Sequence, residues 1–237
     1  MIRFETIMLG EGEALSCRRC TTAKPSSEYT PVVEVKQRIT DVLDDAKAGG
    51  VLLAGPEPMG HPALPEIVRF AASAGAARIG MRTAASAFAH GENARGAIAT
   101  GLRFVEVPLA GADAVEHDAR VLAPGAFEGT WAGVTRLRDA ATALGEQVVV
   151  RGRVDVCAHT VASLPAMVAV FAQWGASSVV LECSRPLPGG HIDYVRAACE
   201  TGMVNRVWVA VHGLSAVALG PDALHLTDVV ECRGGRT

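Results

Sequence analysis

Two thiols three positions apart are the first residues in this chain that could do chemistry. Cys17 and Cys20 stand in Ser16-Cys17-Arg18-Arg19-Cys20. A Cys-x-x-Cys pair can hold one metal ion or two corners of an iron–sulfur cluster, and the flanking arginines favour the thiolate form by charge. The same pair is also compatible with two unligated loop thiols, or with a zinc site completed by His61 or Glu57, although the second ligand pair of a zinc signature is missing. Arg151 and Arg153 lie two apart on an expected strand, hence on one face, where an ion pair with Glu182 or Asp155 is open to them. Glu106, Arg82 and His212 fall near strand ends and can line a pocket or serve structural pairs. Cys157, Cys183 and Cys199 read as small apolar packing residues. Cys183, directly after an expected strand in Leu181-Glu182-Cys183, is the one placed to reach a ligand-binding rim.

Composition narrows the partners. The 237 residues include 22 basic and 25 acidic side chains, a formal charge of −3, which gives no electrostatic footprint for nucleic acid or an anionic membrane surface. Aromatics make up 5%, so stacking platforms for single strands are scarce. No apolar run approaches the ~20 residues of a membrane span, and the N-terminus lacks a secretory layout. A cytoplasmic location is expected. There the six cysteines read as thiols or metal ligands rather than as a disulfide framework.

These residues need a scaffold, and the chain supplies short β-rich runs alternating with longer helical ones. Strands are expected at Phe4–Leu9, Val51–Gly55, Ala77–Thr83, Phe104–Leu109, Gln147–Val154, Ser178–Glu182 and Val207–Val211. Helices are expected at Val33–Ala48, Pro62–Ala74, Ala87–Thr100, Gly125–Leu144, Thr160–Trp174 and His191–Thr201. Runs such as VLLAG and VVVRGRV read as parallel strands covered on both faces. With 49% hydrophobic residues and no composition break, the reading is an α/β fold, a partial (β/α)6-type TIM-like barrel in one domain over residues 1–237, with about 226–237 a flexible tail. A doubly wound sheet is the rival. A barrel works at the carboxyl ends of its strands, and the Ser/Thr/Pro-rich loop Arg19–Pro31 follows the first of them.

Several motifs together resemble the radical S-adenosylmethionine (SAM) superfamily over nearly the whole chain. Gly55-Pro56-Glu57-Pro58, followed by MGHPALPEI, is similar to the family's G-G-E-P-x-x-H-P-x-L-x-x-I stretch. Thr83-Ala84-Ala85 occupies the place of a Thr that commonly precedes Asn-Gly. His117, Asp118, Gly125 and Phe127 match the H-D-x-x-R-G-x-x-G-x-F segment, and Ser215-Ala216 stands where some members carry Pro-x-Cys. The resemblance implies a [4Fe-4S] cluster held by a loop after the first strand. It also implies SAM bound by Gly55, Pro56, Glu57, Pro58 and Thr83, with a basic residue, Arg151 or Arg153, meeting the SAM carboxylate.

The departures are as informative. The cluster motif reads Glu13-x3-Cys17-x2-Cys20, with no cysteine upstream of Cys17. A site-differentiated cluster takes three protein ligands, and a carboxylate is a harder ligand for cluster iron than a thiolate. Pro56 and Pro108 remove backbone donors from loops that contact SAM in the family. The expectation is a degenerate member, a non-redox paralogue or partner subunit beside an intact radical SAM enzyme or a peptide substrate, with a SAM- or nucleoside-type pocket. The alternative is an active radical SAM enzyme whose cluster is held by Cys17, Cys20 and Glu13. Cys232 lies in a Gly/Arg-rich terminus.

Overall fold

The computed structural model of the protein describes residues 4–12, 28–44, 49–183 and 191–213. Glu13, Cys17, Cys20, Ser215-Ala216, Cys232 and the expected tail lie outside them. The described residues fall into two compact units, one holding those up to Val107 together with Glu128–Val149, the other holding Pro108–Phe127 and those from Val150 onward.

In the first unit, parallel strands follow chain order: β1 (Phe4–Met8), β2 (Gly50–Ala54), β3 (Arg78–Arg82) and β4 (Leu102–Pro108). Between them run α1 (Val32–Asp44), α2 (Leu64–Ser73) and α3 (Asn93–Ala99). All five residues of β2 are buried, which is why Val51-Leu52-Leu53-Ala54 is apolar without alternation. Pro65 sits in the first turn of α2, where its missing N–H costs nothing. The helix expected over Ala87–Thr100 is divided, because Gly91 takes a φ of 53°. A 3-10 turn at Ser86–Ala89 precedes it and α3 follows.

The second unit repeats the pattern with β5 (Val149–Asp155), β6 (Ser178–Glu182) and β7 (Trp208–His212), parallel and in chain order, joined by α6 (Leu164–Gln173) and α7 (His191–Val204). Here the expectation of a strand apolar on both faces is corrected. β5 alternates, with Val150, Gly152 and Val154 buried and Arg151, Arg153 and Asp155 half-buried on the other face. Gly152 is needed because the Phe171 ring of α6 lies where its Cβ would be, 2.6 Å away. A methyl there would overpack the unit by about 1–3 kcal/mol.

A helix absent from the sequence reading, α4 (Ala114–Val121), precedes α5 (Ala126–Ala143). Its start was legible in Asp113-Ala114-Val115-Glu116, since the Asp113 carboxylate accepts from Glu116 N at 2.8 Å as an N-cap. The family motif explains the rest of this segment structurally. His117 Nδ1 accepts from Ala110 N at 3.1 Å, and Asp118 accepts from Gly125 N and Phe127 N, at 2.6 and 2.9 Å, at the head of α5.

Candidate functional site

The carboxyl ends of the strands carry the ionisable residues. In the first unit the chain leaves β2 at Gly55, whose φ of 117° and approach to Gly10 exclude a side chain, a Cβ there lying 3.0 Å from Gly10 O. Pro56 is buried against Gly10 and offers no N–H. Glu57 then turns inward. Its Oε1 accepts from Thr83 Oγ1 at 2.5 Å and from Met59 N at 3.2 Å, and its Oε2 accepts from Ala84 N at 2.8 Å. Burial pushes the Glu57 carboxyl above its ordinary value, with these hydrogen bonds opposing. The turn after β2 is thereby clipped to the turn after β3, joining two of the motifs that the sequence singled out.

Tyr29, which the sequence reading passed over, completes the clip. Its hydroxyl donates to the Glu57 carbonyl at 2.8 Å, and its ring lies edge-on to His61, centroids 4.9 Å apart. His61 Nε2 meets Thr30 O at 3.2 Å while Nδ1 accepts from Ala63 N at 3.0 Å. Both ring nitrogens of His61 are thus engaged by backbone groups of the loops beside it. Among the described residues no group of three or more His, Cys, Asp or Glu side chains could hold a metal ion. Arg82 and Glu106 form a pair at 2.6 Å, their side chains 13% and 2% exposed.

The second unit carries a separate polar row. The Arg153 guanidinium meets Asp155 Oδ1 at 3.0 Å and Glu182 Oε2 at 3.1 Å, so both ion pairs considered for it are present. Register sets Asp155 beside Glu182 and Glu182 beside His212 across β5, β6 and β7, and His212 Nδ1 lies 3.4 Å from Glu182 Oε2. Arg151 occupies the same face of β5. Thr160 Oγ1 donates to Asp155 O at 2.7 Å and accepts from Cys157 N at 3.0 Å, shaping the loop after β5.

Two cysteines follow the expectation and one departs from it. Cys183 and Cys199 are buried and free, packed as small apolar side chains, and the Cys183 thiol is pushed up to about 12 by desolvation and the neighbouring Glu182 charge. Cys157 is half-buried and disulfide-bonded rather than packed as a small apolar group. No described helix is long and apolar enough to cross a membrane.

No family model and no curated protein matches the chain. Solved structures do match. SuiB from Streptococcus suis, bound to the precursor peptide SuiA, aligns at 11% identity and a TM-score of 0.68, covering 92% of this chain and 51% of its own. Methylornithine synthase (PylB) aligns at 11% identity and a TM-score of 0.61, covering 88% and 64%. The radical SAM methyltransferase TsrM from Kitasatospora setae, with cobalamin and a [4Fe-4S] cluster bound, aligns at 14% and 0.51, covering 75% and 36%. The chain thus has the α/β fold of these radical SAM enzymes, a partial TIM-like barrel, and spans about half the length of SuiB.

Proposed function

We propose that this chain is a radical-SAM-like protein that binds SAM or a related nucleoside at its strand ends without a competent [4Fe-4S] cluster, as a non-redox paralogue or a partner subunit of an intact radical SAM enzyme or its peptide substrate. The observation that carries this reading is the donor set. On a chain with the fold of radical SAM enzymes, the cluster loop offers Cys17, Cys20 and Glu13 where the family offers three thiolates. Two thiolates and a hard carboxylate do not fit a site-differentiated cluster, so no electron-transfer step is assigned to this chain.

The ligand assignment rests on the resemblance and on the clip around Glu57. Gly55, Pro56, Glu57 and Pro58, in the turn after β2, and Thr83, after β3, are assigned to the methionine end of SAM. Of the Glu57 oxygens, Oε1 already accepts two hydrogen bonds and Oε2 one, which leaves Oε2 an acceptor position for a ligand ammonium. In the second unit the resemblance alone assigns a carboxylate-binding role to Arg151 or Arg153; Arg153 is partly neutralised there by Asp155 and Glu182. That SuiB has been solved with SAM and with a peptide supports both the ligand and the partner class.

Anaerobic reconstitution with iron and sulfide, followed by an iron count and a SAM-cleavage assay under reductant, tests the reading. The expected result is no stable iron and no 5′-deoxyadenosine, with SAM retained in equilibrium dialysis. About four irons per chain together with SAM cleavage overturns it in favour of an active radical SAM enzyme using Cys17, Cys20 and Glu13. Loss of SAM retention overturns the ligand assignment.

A further inference from the structure

The last residues of β6 and β7 place an imidazole and a carboxylate side by side on the face opposite the helices. Val209 and Val211 of β7 are buried, and Val209 packs against α7, its Cγ2 lying 2.4 Å from where a Cβ on Gly202 would be, so Trp208, Ala210 and His212 face the other way. His212 Nδ1 lies 3.4 Å from Glu182 Oε2. An ionised carboxylate only accepts, so in the neutral imidazole Nδ1 carries the proton and the lone pair is on Nε2. Nε2 makes no hydrogen bond to a described residue, and the His212 side chain is 35% exposed. Glu182 is itself fixed. Arg153 Nη1 meets the same oxygen at 3.1 Å, and the His212 bond and Arg153 charge hold its carboxyl below the usual range against burial. Arg151 and Asp155 are the other charged groups that β5 presents on this face. The backbone at the end of β7 is pinned as well, with Cys183 N donating to His212 O at 2.9 Å.

We infer that His212, positioned by Glu182, is a proton acceptor at the strand ends that takes a proton from an O–H or N–H group of the bound ligand. The X–H bond breaks, its electron pair stays on X, and a new N–H bond forms at Nε2. The imidazolium charge is balanced by Glu182, and nothing is oxidised or reduced. His212 is the catalytic residue and Glu182 the positioning residue, an arrangement that fixes tautomer and ring orientation together. The inference rests on the strand ends being the ligand face, and it requires no cluster.

Diethyl pyrocarbonate, which acylates an unprotonated imidazole nitrogen, is a direct probe. On the full chain at pH 7, with peptide mass spectrometry as the readout, His212 is expected to be modified at Nε2. The rate should fall in Glu182→Ala, because the proton is then no longer held on Nδ1 and Nε2 is unprotonated for only part of the time. Equal rates in the two proteins overturn the inference. Because Glu182→Ala also releases Arg153, the wild-type protein supplies a second readout: imidazole 15N shifts should show the Nδ1–H tautomer, and a predominant Nε2–H tautomer overturns the inference equally. Neither measurement uses iron or SAM, so their failure is separable from a failure of the reconstitution experiment.

Discussion

Glu57 receives its shortest hydrogen bond, 2.5 Å, from Thr83 Oγ1, so the turn after β2 is fastened to the turn after β3 by a carboxylate and a hydroxyl. Removing the carboxylate leaves the Thr83 hydroxyl and the Ala84 N–H without their acceptor. Glu57→Ala is therefore expected to lower stability by about 2 kcal/mol, the desolvation cost of the abandoned donors less the relief of a buried charge. Urea unfolding of the two proteins checks this, and an unchanged midpoint would mean the clip contributes nothing.

The same residue and His117 act on acid stability in opposite senses. Burial raises the Glu57 carboxyl above its ordinary 4.5, so the folded state binds the proton more tightly than the unfolded one, and this contribution is lost as pH rises through the folded value. His117 is fully buried and its imidazole is lowered from 6.5 to about 4 by desolvation. Between those values the unfolded state binds more protons, so stability falls on acidification. His117 should cost about 3 kcal/mol between pH 7 and pH 4. His117→Asn, which keeps an acceptor for Ala110 N, should flatten that loss, whereas Glu57→Gln should steepen it. Thermal midpoints measured across pH 4–7 separate the two, and a profile unchanged in both variants refutes the assignment.

The buried thiols make a labelling prediction. Cys183 and Cys199 are free and pushed up to about 12 and about 11 by desolvation, so neither holds an appreciable thiolate fraction at pH 8. Native protein treated with iodoacetamide should carry no label at either position. In denaturant without reductant both should label fully, while Cys157, being disulfide-bonded, should label only after reduction. Native labelling of Cys183 would reopen it as a metal ligand.

The strands were legible to within two residues at every end, because buried parallel strands such as β2 leave an uninterrupted apolar run and turn residues bracket them. The helix α4 was not. Its eight residues carry three charges of mixed sign, Glu116, Asp118 and Arg120, around His117, and its apolar face is short. The motif residues were visible, but their work was not: His61, His117 and Asp118 each satisfy backbone groups of a neighbouring turn, which spacing alone does not show. Tyr29 lies 28 positions from Glu57 in the chain, beyond any local pattern. The His212–Glu182 contact depends on strand register, so the sequence could mark both residues as rim candidates without pairing them.

Ala85 records a local conflict between backbone and residue type. It takes a φ of 62° at the position where the family motif has glycine, and it is fully buried. The left-handed conformation costs a residue with a Cβ about 1–2 kcal/mol. Replacing it with glycine recovers that strain but gives up a buried methyl, about 0.8 kcal/mol, and adds unfolded-state entropy. The terms nearly cancel, so Ala85→Gly should be close to neutral. Ala71, equally buried but within α2, has no strain to release. There the methyl and the helix preference add, and Ala71→Gly should cost about 2 kcal/mol. The comparison of the two midpoints isolates the backbone term. Equal losses at both positions would show that Ala85 is not strained. Space is tight on the other side of the same turn, where a Cβ on Gly133 would lie 1.9 Å from the Ala85 carbonyl. Gly133→Ala should therefore destabilise by at least about 2 kcal/mol, in the Ala85→Gly background as in the wild type, since the clash is with the carbonyl oxygen and not with the methyl.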